Sequence, residues 1–406
     1  MAKMNVWKRF FPVRTHEGAI AQKVDAKREL RRTVMTARTA MQLRHAPLFL
    51  VRELARRKGA GPHVADSLER VIQRADELSE FVALYWKEKK QPLSAGAKRG
   101  LARAFTKFDA YQLAKYDRAA AVKLRDVLFL CHAQPRDAEQ AAVWKKLVEN
   151  TLESPDTWEV ALSAGKDKRE NFERLLREGK LGGLAVLRNL RLMLASGVEP
   201  RLIRERLGQG VARALPFRFV TAARHAPKLE DAIEKAMLAG IAGLGKLPGS
   251  TGLVVDVSGS MEGKLSKKSE TSRIDAAAGL AILLREKADE LCVATFSNEC
   301  VELPARRGFA LRDAIVNSQP HSATYLKRAL EHLRGKREWR ALDRLIVITD
   351  EQAHDGIVPA WTPRAYFVNV APYGHGVSYG NGWTHVDGWS GRIVDYIAAA
   401  EVEKAA

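Results

Sequence analysis

The chain is 406 residues long, 46% hydrophobic and 28% charged, so it can bury sizeable cores and is not a disordered tail. It has no apolar run of the roughly 18–20 residues that a membrane helix needs. Its three cysteines, Cys131, Cys292 and Cys300, form no C-x-x-C pair, which excludes a disulfide framework and a zinc ribbon and predicts a reduced, cytoplasmic chain.

The formal charge of +19 is unevenly spread across a Gly-rich change in composition near residue 247. Residues 1–247 carry 48 Lys+Arg against 28 Asp+Glu, a net of +20, whereas residues 248–406 carry 19 against 20. A compact domain with that excess repels itself unless something neutralises it, so a polyanionic partner is expected. Nucleic acid comes first, ahead of a merely soluble, lysine-rich surface, with an anionic membrane third.

Residues 1–19 are basic but have no apolar h-region or small-residue cleavage site, so no secretory signal is predicted. Helical period then dominates to residue 247. Within 65–89, Leu68, Val71, Ile72, Ala75, Leu78, Phe81, Val82 and Tyr85 fall on one stripe. The segment 94–108 opens on Ser94, suited to a helix cap, and repeats Leu101, Phe105 and Phe108. The segment 181–194 is apolar nearly all round, which predicts a buried central helix. Pro- or Gly-containing breaks recur at 59–62, 91–92, 134–135, 154–155, 196–200 and 215–216. Their spacing suits stacked helix pairs of the HEAT-like kind, and predicts an all-helical domain over 1–247.

Some of the basic residues are patterned. Arg99, Arg103 and Lys107 lie at i, i+4 and i+8, on one helix face beside Lys98. Tyr85, Trp86, Phe105, Tyr111 and Tyr116 are interleaved with this cluster. A positive groove lined by aromatics holds single-stranded RNA through phosphate contacts and base stacking. Each aromatic taken alone also reads as core.

From Thr251 the period changes. Short apolar runs at 251–255, 291–296, 345–349 and 365–370 alternate with helical segments, the first of them from about Arg273 to Glu290. This predicts a second domain over 248–406, with a doubly wound, Rossmann-like parallel sheet. Ligands of such sheets bind beyond the carboxyl ends of the strands, where Asp256 and Asp350 both fall. Asp256, Ser258 and Ser260, at i, i+2 and i+4 in a turn, offer one carboxylate and two hydroxyls to a hard divalent cation such as Mg²⁺. Taken alone, D-x-S-x-S reads equally as an Asx turn with a helix cap. Thr324 and Asp350, entering from two other loops, favour the metal. The near-P-loop at 240–246 has Leu247 where a metal-binding Ser or Thr belongs, and is set aside. His375, His385 and Asp387 lack zinc spacing and read as loop.

The segment 256–261 (DVSGSM), with Thr324 and Asp350, resembles the metal-ion-dependent adhesion site of a von Willebrand factor A (vWA) domain. Upstream, RTHEGA at 14–19, FTKFDAYQLAKY at 105–116, KLRDVLFLCH at 123–132, LRNL at 187–190 and LPFRF at 215–219 are similar to the TROVE module of the Ro autoantigen family. The segment APYGHGVSYGNGWTHVDGWS at 371–390 extends that similarity nearly to the C-terminus. The resemblance implies a HEAT-like helical ring followed by a vWA domain. It implies a monomeric, non-enzymatic protein whose outer face holds small Y-like noncoding RNAs and whose central hole takes single-stranded 3′ ends of misfolded RNAs. An exoribonuclease or RNA-repair enzyme would be its partner. Lys115 and His132 match positions that contact RNA on the outer face, and Arg118 lies one position from another. The third metal loop reads Ser322-Ala323-Thr324 where relatives usually carry glycines. The alternative is a vWA-type adaptor working with an ATPase through its metal, without RNA.

Overall fold

The computed structural model of the protein describes residues 26–57, 59–117, 120–165, 167–211, 214–265, 269–371, 381–387 and 392–405. Arg118, His375, the 14–19 motif and most of the 371–390 segment lie outside them. The described chain divides into two compact units, one ending at Val160 and the other starting at Ala161.

In the first unit, helices Ala26–Thr39, His45–Ala55, Gly61–Val71, Asp76–Tyr85, Ala95–Phe105, Ala110–Tyr116, Leu124–Cys131 and Ala138–Glu149 follow one another with short connections. Their apolar stripes close on one core that includes Val34, Leu48, Leu68, Phe81, Leu101, Leu128 and Trp144. Phe105 meets Trp144 edge-on, with ring centroids 5.2 Å apart. Ser94 caps its helix as its position predicts, accepting a hydrogen bond from the Ala97 N–H at 3.2 Å. Gly96 and Gly100 bring that helix onto Gly61–Val71, since a Cβ on Gly96 would lie 2.5 Å from the Gly61 carbonyl oxygen.

The stripe from Leu68 to Tyr85 is buried throughout, but it is shared by two helices. Ile72 turns extended (ψ 110°), and the next helix begins at Asp76. Glu77 holds this break. Its wholly buried carboxylate accepts from the N–H groups of Gln73 (2.8 Å) and Arg74 (3.2 Å) and from Arg38 Nη2 (2.8 and 3.0 Å). Glu77→Ala would strand the buried Arg38 guanidinium and two backbone donors. The expected loss is about 3–5 kcal/mol, read from denaturant unfolding of the full chain. A loss under about 1 kcal/mol, the scale of an exposed pair, would mean that the pair does not hold the break.

The second unit opens with helices Lys168–Arg177, Gly183–Ala195, Pro200–Gly208, Pro216–His225 and Glu230–Ala242. The expectation of a central helix at 181–194 needs correction. Val186, Leu187, Leu190 and Met193 are buried, but Leu184 is 40% exposed and Arg188 faces solvent, so one face of the helix is open. The surplus leucines sit on the outer face, where isolated apolar residues are ordinary.

Helices give way to strands at Leu247, close to the change in composition, but the helices from 168 onwards belong to the same compact unit as the sheet. Gly279 allows this packing. A Cβ there would lie 2.9 Å from the Phe217 nitrogen, so helix Pro216–His225 rests directly on helix Arg273–Lys287. The latter is buried along nearly its whole length and also packs on β1 and β2.

The sheet comprises β1 (Leu247–Asp256), β2 (Ala288–Phe296), β3 (Cys300–Leu303), β4 (Arg344–Thr349), β5 (Arg364–Asn369) and β6 (Trp383–Asp387), in the order β3-β2-β1-β4-β5-β6. All neighbours run parallel except β3, which lies antiparallel on β2. The four predicted runs are β1, β2, β4 and β5. The edge strands β3 and β6 lay hidden in a short polar hairpin and in the Gly-rich segment read as loop. His385 belongs to β6, pairs in register with Phe367 and stacks on its ring at 5.3 Å. The C-terminal helix Ile393–Ala405 is tied to the sheet by the fully buried Arg344, whose Nε donates to Glu401 Oε1 at 2.6 Å. The fold is thus a helical, repeat-like N-terminal region followed by a doubly wound α/β sheet. No helix among the described residues is long and apolar enough to cross a membrane.

Candidate functional site

β1 and β4 are adjacent and parallel, so Asp256, ending β1, and Asp350, following β4, emerge side by side at the carboxyl edge of the sheet. Both are fully buried. The turn after β1 folds back on itself. The Ser258 N–H donates to Asp256 Oδ1 at 2.9 Å, and the Ser258 and Ser260 hydroxyls meet at 3.2 Å. The loop carrying Thr324 is laid against this turn by the Gly259 N–H, which donates to the Ser322 carbonyl at 3.0 Å. Asp256, Ser258, Ser260, Thr324 and Asp350 thus belong to three loops gathered at one strand edge.

The electrostatics suit a hard cation. Burial pushes the Asp256 carboxyl up to about 6, opposed by hydrogen bonds from Ser258 and Thr349 and aided by the negative Asp350. Asp350 Oδ1 is buried without a hydrogen-bond partner, an orphaned acceptor of the kind a bound ion or its water satisfies. All five donors are oxygens, which fits Mg²⁺ and not a thiophilic metal.

Sequence reasoning passed over four residues that shape this site. Thr349 Oγ1 donates to Asp256 Oδ2 at 2.7 Å. Ser297, just after β2, accepts from the Ser322 N–H and donates to the Ala323 carbonyl, both at 2.9 Å, and so staples the third loop. His354 grips the Thr324 backbone twice, with Nδ1 accepting at 3.1 Å and its own N–H donating at 2.9 Å. Arg273 Nη1 donates to Asp350 Oδ2 and to the Ser260 carbonyl, each at 2.7 Å. Only the placement of Ser297 behind a predicted strand, at the same edge as Asp256, could have flagged one of them.

The basic residues divide. Lys98, Arg99 and Arg103 share helix Ala95–Phe105, with Arg99 and Arg103 exposed, and Arg103 lies 3.4 Å from Glu69. Lys107 leaves the expected row of phosphate contacts. Its ammonium donates to the carbonyls of Glu69 and Ile72, the latter at 2.9 Å, and so caps helix Gly61–Val71. Desolvation lowers its pKa. Lys115 lies over the rings of Tyr111 (5.5 Å) and Tyr116 (5.9 Å), with Tyr111 49% exposed. His132 ends helix Leu124–Cys131 in the left-handed region (φ 52°) and is exposed. Lys98 comes close to that end: its charge opposes the burial that pushes the Cys131 thiol up to about 11. Phe129, one turn before His132, is 60% exposed, and the sequence did not single it out. Tyr85 and Phe105 are core.

Residues 149–268 match the family model of the TROVE domain. That match runs through the last helices into β1 and the Asp256 turn. Telomerase protein component 1 of Mus musculus is 38% identical over 86 residues, 20% of this chain and 3% of that protein's length. Among solved structures, the Ro (Rsr) protein of Deinococcus radiodurans superposes with a TM-score of 0.67 at 19% identity, covering 96% of this chain and 95% of that one. The superposition establishes the fold, and the similarity to the TROVE domain covers residues 149–268.

Proposed function

We propose that the protein is the RNA-binding scaffold of a ribonucleoprotein and works without catalysing a reaction. The observation that carries this reading is the TROVE match at 149–268 in a chain whose excess charge of +20 lies within residues 1–247. Y-like noncoding RNAs are the ligands we assign to the outer face, through Lys98, Arg99, Lys115 and His132, and Tyr111 and Phe129 offer ring faces beside them. Single-stranded 3′ ends of structured or misfolded RNAs are the second ligand class, which makes RNA quality control or processing the role. An exoribonuclease or RNA-repair enzyme is the partner of that role. The compartment we assign is the cytoplasm, on the cysteine usage, and the working form is a monomer.

The α/β part we read as a vWA domain. Asp256 and Asp350 would carry the charge of a Mg²⁺ ion, and Ser258, Ser260 and Thr324 would supply neutral oxygens. When bound, the ion offers a coordination position to an outside oxygen ligand. Gly259 is exposed and Ser260 half-buried, so the mouth of the site is open to a partner's carboxylate. This opening is what favours the second reading, an adaptor that grips a protein partner through the metal.

The deciding experiment is a side-by-side titration of the full chain with one structured RNA, blunt or carrying a single-stranded 3′ tail. Tighter binding of the tailed form, with little dependence on tail sequence, is expected. Equal affinity for the two would remove the single-strand reading. No binding of either would leave the adaptor.

A further inference from the structure

Asp256 and Asp350 are two fully buried carboxylates, and two such charges without a cation would be costly. Among the described residues, Arg273 is the one cation bonded to either of them. It is only 5% exposed, and its Nη1 spans Asp350 Oδ2 and the Ser260 carbonyl, so it sits between two of the three loops that converge on the site.

The guanidinium is held there by the start of its helix. Ser272 and Asp275 form a reciprocal cap, with the Asp275 N–H donating to Ser272 Oγ at 3.1 Å and the Ser272 N–H to Asp275 Oδ2 at 2.9 Å. The Arg273 N–H donates to the Gly263 carbonyl at 2.9 Å. Asp275 is in turn paired with Arg224 on helix Pro216–His225, and Thr221 and Thr271 join hydroxyls at 2.9 Å. The gap over Gly263 is filled as well, since a Cβ there would lie 3.1 Å from Arg273 Cζ.

We propose that Arg273 is the site's built-in counter-ion, neutralising Asp350 in the metal-free protein and competing with a divalent cation for that carboxylate. The inference rests on the metal centre proposed above. It makes Arg273 a residue that sets metal affinity without being a ligand. Mg²⁺ must enter a site already half neutralised, with Asp350 Oδ2 held by the guanidinium and Oδ1 left open, so the ion binds more weakly than its five oxygens alone would allow.

The test is calorimetric titration of the full chain with MgCl₂. Arg273→Gln keeps an amide donor on a shorter stem but removes the charge. It is expected to bind Mg²⁺ about tenfold or more tightly than the wild type, a unit charge a few ångströms away being worth at least that. Its melting temperature should rise more on adding Mg²⁺ than the wild type's does. Arg273→Lys, which keeps the charge, should stay near wild-type affinity. If the wild type binds and Arg273→Gln binds equally or more weakly, the counter-ion role is wrong while the metal centre stands. If Arg273→Lys tightens binding as much as Arg273→Gln, the effect is not one of charge, and the role fails again. Binding by neither the wild type nor Arg273→Gln overturns the metal centre and this inference together.

Discussion

Raising monovalent salt from about 50 to about 200 mM is expected to weaken RNA binding by about 10³–10⁵-fold, the loss that accompanies neutralisation of roughly six to ten phosphates. The expectation follows from where the charge lies. Residues 1–247 carry a net +20, and residues 13–160 alone hold 28 Lys+Arg against 19 Asp+Glu. Part of that basic set is committed within the fold: Arg38 pairs with Glu77, Arg52 with Glu88, and Lys107 caps a helix. The net excess survives because the paired acids are already subtracted from it. Filter binding or fluorescence anisotropy across a salt series gives the slope directly. A flat slope would mean that the charge serves something other than phosphate. Binding carried wholly by residues 248–406, with 19 basic against 20 acidic residues, would be equally fatal.

Asp256→Ala is expected to abolish Mg²⁺ binding and to leave RNA affinity nearly unchanged. The substitution removes one of the two carboxylates assigned to the ion, along with the acceptor that orders the Ser258 turn and receives the Thr349 hydroxyl. Ser258→Ala deletes a neutral ligand and should weaken the ion less. RNA binding should persist because the charge that attracts RNA lies in residues 1–247, which the substitution does not touch. Paired Mg²⁺ and RNA titrations on the same Asp256→Ala preparation check this, with circular dichroism confirming the fold. If RNA binding collapses along with the metal while the fold survives, the division of labour is wrong. The ion would then have to bridge RNA phosphate itself.

Much of the candidate site was legible before the fold was known, because its information is local. A strand-length apolar run that ends in Asp, followed by D-x-S-x-S spacing, places three oxygens in one turn whatever the remainder of the chain does. A second such run ending in Asp350 places a fourth at the same edge, since parallel strands share their carboxyl ends. The RNA face was less legible. Helical spacing put Arg99, Arg103 and Lys107 in one row, but periodicity records only which side of a helix a residue occupies. It could not show that the Lys107 ammonium turns onto the carbonyls of the neighbouring helix.

By itself, then, the sequence determined the helical and α/β halves, the four central strands, the Ser94 cap and the two strand-end carboxylates, Asp256 and Asp350. Each of these follows from residue types within about ten positions of one another. Tertiary structure alone decided the rest. The stripe from Leu68 to Tyr85 is broken because Arg38, 39 residues away, meets Glu77 at the break. Helices from 168 onwards join the sheet's unit because Gly279 lets Phe217 approach. Arg273 becomes part of the site because folding brings it to Asp350 across 77 residues of chain. Hydrogen bonds and ion pairs act over about 3 Å of space regardless of sequence separation, so their partners emerge only once the backbone has closed.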